Sequence, residues 1–329
     1  MKERISVCIP TYNAAETIQK TVESVLRQTF TDFELVIVDN ASTDNTVLII
    51  RDIKDVRIKL YINEANVGCG KNLEACKEKA TGDILFYICS DDLAREDALQ
   101  KVTDAFEMAN DIGIVIRPYF WFIKSIDRPV RVTKQFVSNE IVSIHDSYDK
   151  IKDVIALADQ ISGIALRKKY MVTFFENRVF IEMASMVADM LKRCKAIILK
   201  DNIVGVRILN NESMGSDVYK ESPLLSWVQL ISSTFSETRY ANLKKYLINN
   251  FLSRNYIGLV QIKNFGGMAK LLTEIFYLIK FRRKNLLSFQ FWFFSLGTIL
   301  TPRFILRKMV SFYKNEVSGR FISLRQKRS

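Results

Sequence analysis

Short β-forming runs alternate with helical patterns over the first ninety residues, and this rhythm constrains the fold more than any other feature of the chain. The alternating segments are residues 5–10, 15–28, 33–39, 44–53, 57–62, 69–80 and 84–90. Strand, helix and strand in this order predict βαβ units and a parallel sheet. The strand at residues 34–38 is almost continuously apolar, as expected where helices cover both faces of a sheet. We therefore predict an α/β fold.

Local signals support the same interpretation. Ile18, Val22 and Val25 recur at helical spacing and predict one buried helix face. Ser42 or Thr43 is expected to cap the second helix. Further along, residues 92–110, 143–157 and 180–194 are predicted to be helical, and residues 112–123, 160–166 and 196–208 to be strands. From residue 223 onward the pattern changes to helices with long apolar runs, so a domain boundary is predicted near residues 215–223.

Polar side chains follow each of the first four predicted strands. They are Thr11, Tyr12 and Asn13, then Asp39 and Asn40, then Asn63 and Asn66, and finally Asp91 and Asp92. In open α/β sheets ligands bind at the carboxyl ends of the strands. We therefore expect these side chains to share one binding site.

Asp91 and Asp92 are the strongest chemical signal in this set. Two adjacent carboxylates repel each other unless a cation lies beside them. Oxygen ligands of this kind suit Mg²⁺ or Mn²⁺, which proteins bind through one or two carboxylates together with substrate phosphates. The alternative from these residues alone is a solvated turn that caps the next helix, because acids favour helix N-termini.

Four sequence blocks, taken together, resemble the family 2 glycosyltransferases of GT-A fold. The blocks are residues 6–13 (SVCIPTYN), 36–46 (VIVDNASTDNT), 66–72 (NVGCGKN), and 80–83 (ATGD) with 90–92 (SDD). They occur in the family's order and spacing and cover about the first 95 residues. The resemblance implies a mostly parallel mixed sheet flanked by helices. It also implies inverting transfer of a sugar from a nucleotide-diphosphate donor, with a UDP-sugar as the first choice and Mn²⁺ or Mg²⁺ as cofactor.

The resemblance also implies roles for individual residues. Pro10, Thr11 and Tyr12 would line the nucleoside pocket, and Asp39 would hydrogen-bond the base or ribose. Asn66, Gly68 and Lys71 would form the loop that closes on the nucleotide, because glycine permits close backbone approach and a lysine can meet phosphate. Two structural alternatives stay open here. Asp39 could serve only its own turn with Ser42, and Lys71 could be an ordinary surface lysine.

The chain departs from the family pattern at the metal motif. The family commonly has Asp-x-Asp-Asp, whereas Cys89 occupies the first position here. We interpret Cys89 as a small apolar group. Metal coordination then falls on Asp91, with Asp92 as a second ligand or a ribose contact.

An inverting transfer also needs a base on the acceptor side. Family members often carry this acid at the start of a helix about ninety residues after the metal motif, which points to Glu182, with Asp189 as a weaker candidate. Met183 stands where the family frequently has a second acid. The alternative for Glu182 is an exposed acid in the first turn of a helix.

The net charge of +12 belongs entirely to the C-terminal fifth of the chain. Residues 263–329 carry 14 Lys and Arg against two acids, and the preceding residues carry 34 of each sign. Residues 286–300 form an apolar, aromatic run, too short and too polar to span a membrane as a helix. Basic flanks and aromatic residues favour an anionic membrane surface. A helical dimer face is the alternative, whereas clustered Phe and Trp do not resemble the spaced stacking residues of nucleic-acid binders.

These observations predict three regions and a location. Residues 1–110 form the nucleotide-sugar half of the catalytic domain, residues 111–220 the acceptor half, and residues 221–329 a basic helical extension. The N-terminus lacks a signal-peptide pattern, and the five cysteines lack framework spacing, so we expect the cytoplasmic face of the cell membrane. The acceptor would be a saccharide, possibly linked to a polyprenyl lipid as in bacterial polysaccharide assembly. The alternatives are a sugar-phosphate nucleotidyltransferase and an inactive membrane-bound assembly subunit.

Overall fold

The computed structural model describes residues 3–176, 178, 181–208, 219 and 221–312. The chain divides into two compact units, residues 1–208 and residues 209–329. The predicted boundary near residues 215–223 falls largely outside the described residues, as does the last part of the basic tail, residues 313–329.

The first unit contains the alternating strands and helices that the sequence predicts. Its strands are β1 (Ile5–Thr11), β2 (Phe33–Asp39), β3 (Ile58–Ile62), β4 (Ile84–Tyr87), β5 (Leu93–Ala94), β6 (Ile112–Ile116), β7 (Phe120–Phe122), β8 (Arg131–Val132), β9 (Glu140–Val142), β10 (Ile164–Arg167), β11 (Lys195–Ile198) and β12 (Val204–Arg207). Its helices are α1 (Ile18–Leu26), α2 (Thr46–Asp52), α3 (Cys69–Lys79), α4 (Ala98–Glu107), α5 (Tyr148–Leu157) and α6 (Glu182–Met190).

Two sheets organise these strands within the described residues. The larger has the order β3-β2-β1-β4-β10-β6-β11-β9, and the smaller has the order β5-β12-β7-β8. Strands β1 to β4 pair in parallel, whereas β10 runs antiparallel to both β4 and β6. Every residue of β2 is buried, as its continuous apolar run predicts. The prediction of a mixed α/β sheet flanked by helices is confirmed.

Two long predicted strands are each divided between the two sheets. Residues 112–123 form β6 and β7, because Pro118 lies between them and cannot donate to a sheet ladder. Residues 196–208 contain the end of β11 and all of β12, with the polar turn residues Asp201 and Asn202 between them. The predictions of single strands here were wrong, and the turns between the paired strands move the chain into the smaller sheet.

Several predicted helix limits were also wrong. The helix expected at residues 92–110 begins only at Ala98, because Leu93 and Ala94 pair with β12 and the Arg95 amide donates to the Ile203 carbonyl. The α2 helix follows Asn45, with neither Ser42 nor Thr43 as its cap. The Ser42 hydroxyl instead donates to Asp39. The helix predicted at residues 180–194 occupies Glu182–Met190, and residue 180 lies outside the described residues.

A buried carboxylate at Glu34 joins three neighbouring strands at the edge opposite the polar strand ends. It accepts hydrogen bonds from the Ser6 hydroxyl at 2.5 Å and from the Thr81 amide at 2.6 Å, and the Lys59 ammonium lies 2.5 Å away. Burial opposes the ionised form, but the bonds from Lys59, Ser6 and Thr81 outweigh it and lower the pKa of Glu34 to about 2. This carboxylate therefore stays charged and holds β1, β2 and β3 in register.

The second unit is helical, as the change of pattern after residue 223 predicts. Its α-helices among the described residues are α7 (Pro223–Thr234), α8 (Ala241–Tyr246), α9 (Gly258–Gln261), α10 (Gly267–Phe281), α11 (Phe289–Leu300) and α12 (Arg303–Phe312). The apolar run at residues 286–300 is shorter as a helix than expected, because the Ser288 side chain accepts a hydrogen bond from the Phe291 amide and caps α11. None of the described helices combines the length and the apolar character needed to cross a membrane.

Candidate functional site

The carboxyl ends of β1 and β2 place Thr11 and Asp39 side by side. The two residues are register partners, and both are buried. Asp39 accepts hydrogen bonds from the Ser42 amide at 2.8 Å and from the Ser42 hydroxyl at 2.5 Å. Ala41 has φ of 60°, a left-handed conformation that costs free energy for a residue with a side chain. The tight turn after β2 therefore orients Asp39, and the carboxylate keeps lone pairs for a further donor.

A network of asparagine side chains fixes the loop that follows β3. The Asn40 amide nitrogen donates to Asn66 Oδ1 at 2.8 Å, and Asn40 Oδ1 accepts from the Val67 amide at 3.0 Å. Asn63 donates to both Asn40 and Asn72, each at 3.0 Å. Asn72 in turn donates to the Val38 carbonyl. This network ties the predicted nucleotide loop to the end of β2.

Gly68 immediately precedes helix α3, in a conformation that only glycine adopts readily. Its φ of 87° lies in the left-handed region, and its amide donates to Asn66 Oδ1. Lys71 is exposed in the first turn of α3, and Tyr12 is 46% exposed after β1. Tyr12 follows Thr11, the register partner of Asp39, and Pro10 within β1 is half-buried. Their roles in nucleotide binding stay predictions.

The end of β4 carries the two adjacent acids in different environments. Asp92 is buried, and both of its oxygens accept hydrogen bonds, Oδ2 from the Ser162 hydroxyl at 2.5 Å and Oδ1 from the Arg207 amide at 2.7 Å. The Asp91 carboxylate is half-buried, and no other described residue donates to it. Asp92 is thus held by the protein, whereas Asp91 keeps its oxygens open to a ligand.

Cys89 completes a group of three ligand atoms beside these acids. Its sulfur and one oxygen from each of Asp91 and Asp92 lie within 4.8 Å of one another. The interpretation of Cys89 as a small apolar group stays a prediction: burial raises the pKa of its thiol well above the ordinary value, the thiol lies beside the carboxylates, and its backbone amide donates to the Ser162 hydroxyl. Burial raises the pKa of Asp91, and burial together with the Asp91 charge raises the pKa of Asp92. A divalent cation would relieve this repulsion, so the residues fit a Mg²⁺ or Mn²⁺ ion.

Glu182 lies in the first turn of α6 and is buried, with 9% of its surface exposed. Burial raises the pKa of Glu182 to about 7, although backbone amides of the first turn lower it in part. The charge of Glu182 also contributes to the raised pKa of the Cys69 thiol, at the start of α3. The alternative of an exposed acid is therefore wrong. A carboxylate with this pKa near the nucleotide loop suits a general base.

Asp189 occupies a different environment from Glu182. It forms ion pairs with Lys192 at 3.1 Å and with Arg193, and it accepts a hydrogen bond from the Thr173 hydroxyl at 3.1 Å. Burial raises its pKa, but the bonds and charges of Arg193 and Lys192 outweigh burial and lower the pKa below its ordinary value. A carboxylate held in this way is a weak proton acceptor.

Three residues that sequence reasoning missed support the acids. Ser162 and Arg207 bond to Asp92 from 70 and 115 positions away along the chain. Arg117 is fully buried and donates to the carbonyls of Leu157 and Gln160, as well as to that of Ser162. The sequence did contain a signal for the two arginines, because each lies within an apolar run, at β6–β7 or at β12. A buried guanidinium needs several acceptors, so such an arginine indicates a polar network inside the fold.

Comparison with known proteins assigns the family. The model of Glycosyl transferase family 2 matches residues 6–172. Poly(ribitol-phosphate) beta-N-acetylglucosaminyltransferase TarP of Staphylococcus aureus is 36% identical over 123 residues, 36% of this chain and 37% of TarP. UDP-Glc:alpha-D-GlcNAc-diphosphoundecaprenol beta-1,3-glucosyltransferase WfgD of Escherichia coli is 36% identical over 89 residues, 27% of this chain and 35% of WfgD. The chain thus matches little more than a third of the length of these relatives.

Solved structures share the fold at low sequence identity. Residues 1–349 of Staphylococcus aureus TarS, in complex with UDP-GlcNAc, align with a TM-score of 0.63 and 18% identity over 90% of this chain and 88% of that chain. The mannosyltransferase PcManGT of Pyrobaculum calidifontis, in complex with GDP-Man and Mn²⁺, aligns with a TM-score of 0.58 and 16% identity over 96% of this chain and 89% of that chain. With its family model matched over half of its length and a fold of GT-A type, the chain belongs to glycosyl transferase family 2.

Proposed function

We propose that the chain transfers a sugar from a nucleotide-diphosphate donor to a saccharide acceptor, with inversion, in cell-surface polysaccharide biosynthesis. The observation that carries the proposal is the gathering of Asp39, the Asn66 loop and Asp91 at the carboxyl ends of adjacent strands. Ligands bind at this edge in open α/β sheets. Relatives named for cell-surface polymers, among them TarP and the putative teichuronic acid glycosyltransferase TuaG of Bacillus subtilis, support the process.

The sugar donor is proposed to be a UDP-sugar. TarS was solved with UDP and with UDP-GlcNAc, and WfgD is named for UDP-Glc, whereas PcManGT was solved with GDP-Man. In this chain, Pro10, Thr11 and Tyr12 would contact the nucleoside, and Asp39 would accept hydrogen bonds from the base or ribose. Gly68 and Lys71 would lie against the phosphates.

Mn²⁺ or Mg²⁺ is the proposed cofactor, with Asp91 as its protein ligand and Cys89 and Asp92 adjacent to it. When bound, such an ion stabilises negative charge on the leaving diphosphate. Asp92 orients the motif through Ser162 and Arg207 rather than by free oxygens. PcManGT, solved with Mn²⁺ and GDP-Man, supports a divalent ion in this fold.

Glu182 is the proposed general base. The acceptor hydroxyl attacks the anomeric carbon on the face opposite the diphosphate, its proton passes to a Glu182 oxygen, and the bond to the diphosphate breaks. Inversion follows because attack and departure occur on opposite faces. The pKa of Glu182, about 7, matches the requirement that a base be both ionised and basic near neutral pH.

A panel of nucleotide ligands tests the proposed activity. We expect UDP with Mn²⁺ to raise the melting temperature, because a ligand at 100 times its dissociation constant stabilises the folded state by about 2.7 kcal/mol. UDP-sugars should also be hydrolysed slowly with release of UDP. The measurement is thermal shift for nucleoside diphosphates and triphosphates, with and without Mn²⁺, alongside nucleoside-diphosphate release from a panel of nucleotide sugars.

Each alternative would give a different result in this panel. A nucleotidyltransferase would bind a nucleoside triphosphate and release pyrophosphate with a sugar phosphate. An inactive assembly subunit would release nucleoside diphosphate from none of the donors. Either outcome would overturn the proposed transferase activity.

The helix α11 exposes most of its large apolar residues and buries two polar ones. Its exposed face carries Phe289, Trp292, Phe293, Leu296 and Leu300, which recur at helical spacing. Its buried residues are Phe291, Ser295 and Thr298. A helix packed only for its own unit would orient these faces the other way, because burial of apolar surface is the main driving force of folding. The exposed face therefore fits contact with an apolar environment.

Exposed apolar and basic side chains continue along α12. Phe304, Met309 and Phe312 are 58–63% exposed, beside exposed Arg307 and Lys308. Aromatic residues at the acyl boundary and cations at anionic headgroups characterise interfacial helices. We infer that α11 and α12 bind the anionic cytoplasmic surface of the cell membrane, and that the acceptor is linked to a polyprenyl lipid, as the name of WfgD states for that protein.

Vesicle binding tests this surface. Phe289→Glu with Phe293→Glu should lower partitioning onto phosphatidylglycerol vesicles by at least about tenfold, because each aromatic side chain loses about 1.5–3 kcal/mol of burial. Val56→Glu with Val137→Glu is the matched control, since both valines are exposed in the first unit. Sedimentation with vesicles at low and high salt measures the effect. Equal vesicle binding by wild type and the Phe variant would contradict membrane binding by α11 and α12. A wild-type dimer that is lost in the Phe variant would instead identify this surface as a contact between two copies of the chain.

A further inference from the structure

Arg207, at the end of β12, places a guanidinium group against the loop that carries Asp91. Its Nε donates to the Asp91 carbonyl at 2.8 Å, and its backbone amide donates to Asp92 at 2.7 Å. The guanidinium carbon lies 4.6 Å from the centroid of the Phe122 ring. Two contacts, one to the Asp91 backbone and one to the Phe122 ring of β7, therefore hold the head group beside the motif.

One nitrogen of this guanidinium is buried without an acceptor. Among the residues that the structure describes, nothing accepts a hydrogen bond from Arg207 Nη2. No described carboxylate forms an ion pair with it, although the Asp91 charge is close enough for Arg207 to lower the pKa of Asp91 in part. A buried donor without a partner costs free energy, and a catalytic role or a bound ion is among the reasons why native proteins keep such a group.

Arg117, a second arginine of the same unit, also has one buried nitrogen, Nε, without an acceptor among the described residues, but the protein engages it far more completely. It is fully buried and donates to three backbone carbonyls, those of Leu157, Gln160 and Ser162. Arg207 is only half-buried, and the structure gives its guanidinium one carbonyl acceptor. No described residue accepts a hydrogen bond from its other N–H groups, and the head group lies against the Asp91 backbone.

We propose that Arg207 binds the diphosphate of the sugar donor and stabilises the charge that the diphosphate gains as the sugar leaves. The inference rests on the proposed function and adds a residue to its site. Guanidinium groups suit this task because their planar fork matches phosphate oxygens and stays charged at all working pH values. As the anomeric carbon–oxygen bond breaks, the bonding electron pair passes to the diphosphate oxygen, and an N–H of Arg207 donates to a diphosphate oxygen.

If Arg207 binds the diphosphate, its substitution should lower the affinity for a nucleoside diphosphate but not for the nucleoside. Arg207→Gln should weaken UDP binding by about 10- to 100-fold, the effect of removing a charged hydrogen bond. Uridine affinity should not change. Arg207→Lys should recover part of the UDP affinity, because it restores the charge without the fork. Titration calorimetry with UDP, uridine, GDP and guanosine in the presence of Mn²⁺ measures the diphosphate-to-nucleoside affinity ratio for each variant.

Arg131→Gln is the matched control. Arg131 also lies over an aromatic ring in the smaller sheet, with its guanidinium carbon 4.4 Å from the centroid of Trp121, and belongs to no part of the proposed site. A general loss of stability would lower UDP and uridine affinity together, which would overturn the inference. Unchanged UDP affinity in Arg207→Gln, under conditions in which wild type binds UDP, would also overturn the inference. If wild type binds none of the four ligands, both the proposed function and the role of Arg207 are wrong.

Discussion

Asp91→Asn is expected to abolish the Mn²⁺-dependent stabilisation by UDP and to lower sugar transfer on the order of 1,000-fold. Asp91 is the acid of the motif whose oxygens are open, so it is the residue on which metal binding depends most. Metal stabilisation of a leaving group is worth several kcal/mol, and each 1.4 kcal/mol changes a rate tenfold. Thermal shift with UDP and Mn²⁺, followed by a transfer or donor-hydrolysis assay, measures both effects.

The stability of the metal-free variant separates lost binding from misfolding. Burial raises the pKa of Asp91, so its ionised form costs more free energy in the folded protein than in the unfolded chain. Removing that charge should leave the metal-free melting temperature equal to or above that of wild type. Asp104→Asn is the matched control, because Asp104 is an exposed acid on α4. An unchanged Mn²⁺-dependent shift in Asp91→Asn would sink the assignment of the metal site.

Glu182→Gln is expected to lower sugar transfer by about 100- to 10,000-fold while UDP affinity stays unchanged. The amide keeps the shape of the side chain but cannot accept the proton of the acceptor hydroxyl. The wild-type rate should rise as pH increases through about 7, where Glu182 ionises. The residual rate of the variant should lack this dependence. Rate–pH profiles at saturating donor, with UDP titrations alongside, measure the two effects.

A stability measurement checks the same residue without activity. The folded pKa of Glu182, about 7, lies above its ordinary value of 4.5, so the contribution of this group to the stability of wild type is complete below about pH 4.5 and is lost as the pH rises through about 7. Wild type should lose about 3 kcal/mol between pH 4.5 and 7 from this group, and Glu182→Gln should not. Asp189→Asn serves as comparison, since Asp189 is ion-paired and its pKa is lowered. A pH-dependent rate lost in Asp189→Asn but kept in Glu182→Gln would reassign the base.

The residues of the N-terminal third allowed the fold and most of the candidate site to be predicted without coordinates. The alternation of β1 to β4 with α1 to α3 could be predicted because apolar periodicity and the polar residues at strand ends are properties of short sequence segments. Asp39, Asn66 and Asp91 follow strands that pair in parallel, so their proximity follows from topology. The resemblance of the four sequence blocks then identified the family, which the family model confirms.

Strand limits beyond residue 90 were less predictable, because tertiary pairing decides them. Residues 93–94 became β5 only through pairing with β12, and the runs at residues 112–123 and 196–208 are each shared between two sheets. Hydrogen bonds to a partner more than a hundred positions away carry no local signal. The same long-range pairing brings Arg207 to Asp91 and Asp92.

The type of fold, the family and the acids at the strand ends could thus be predicted from short stretches of sequence. The tertiary structure alone decided how those acids differ. Both carboxylate oxygens of Asp92 accept hydrogen bonds, from Ser162 and Arg207, whereas no other described residue donates to the Asp91 carboxylate. Burial raises the pKa of Glu182 to about 7. The physical reason is that a carboxylate's charge and hydrogen bonds depend on the neighbours that the fold supplies, and these neighbours lie on strands and helices far away in the chain.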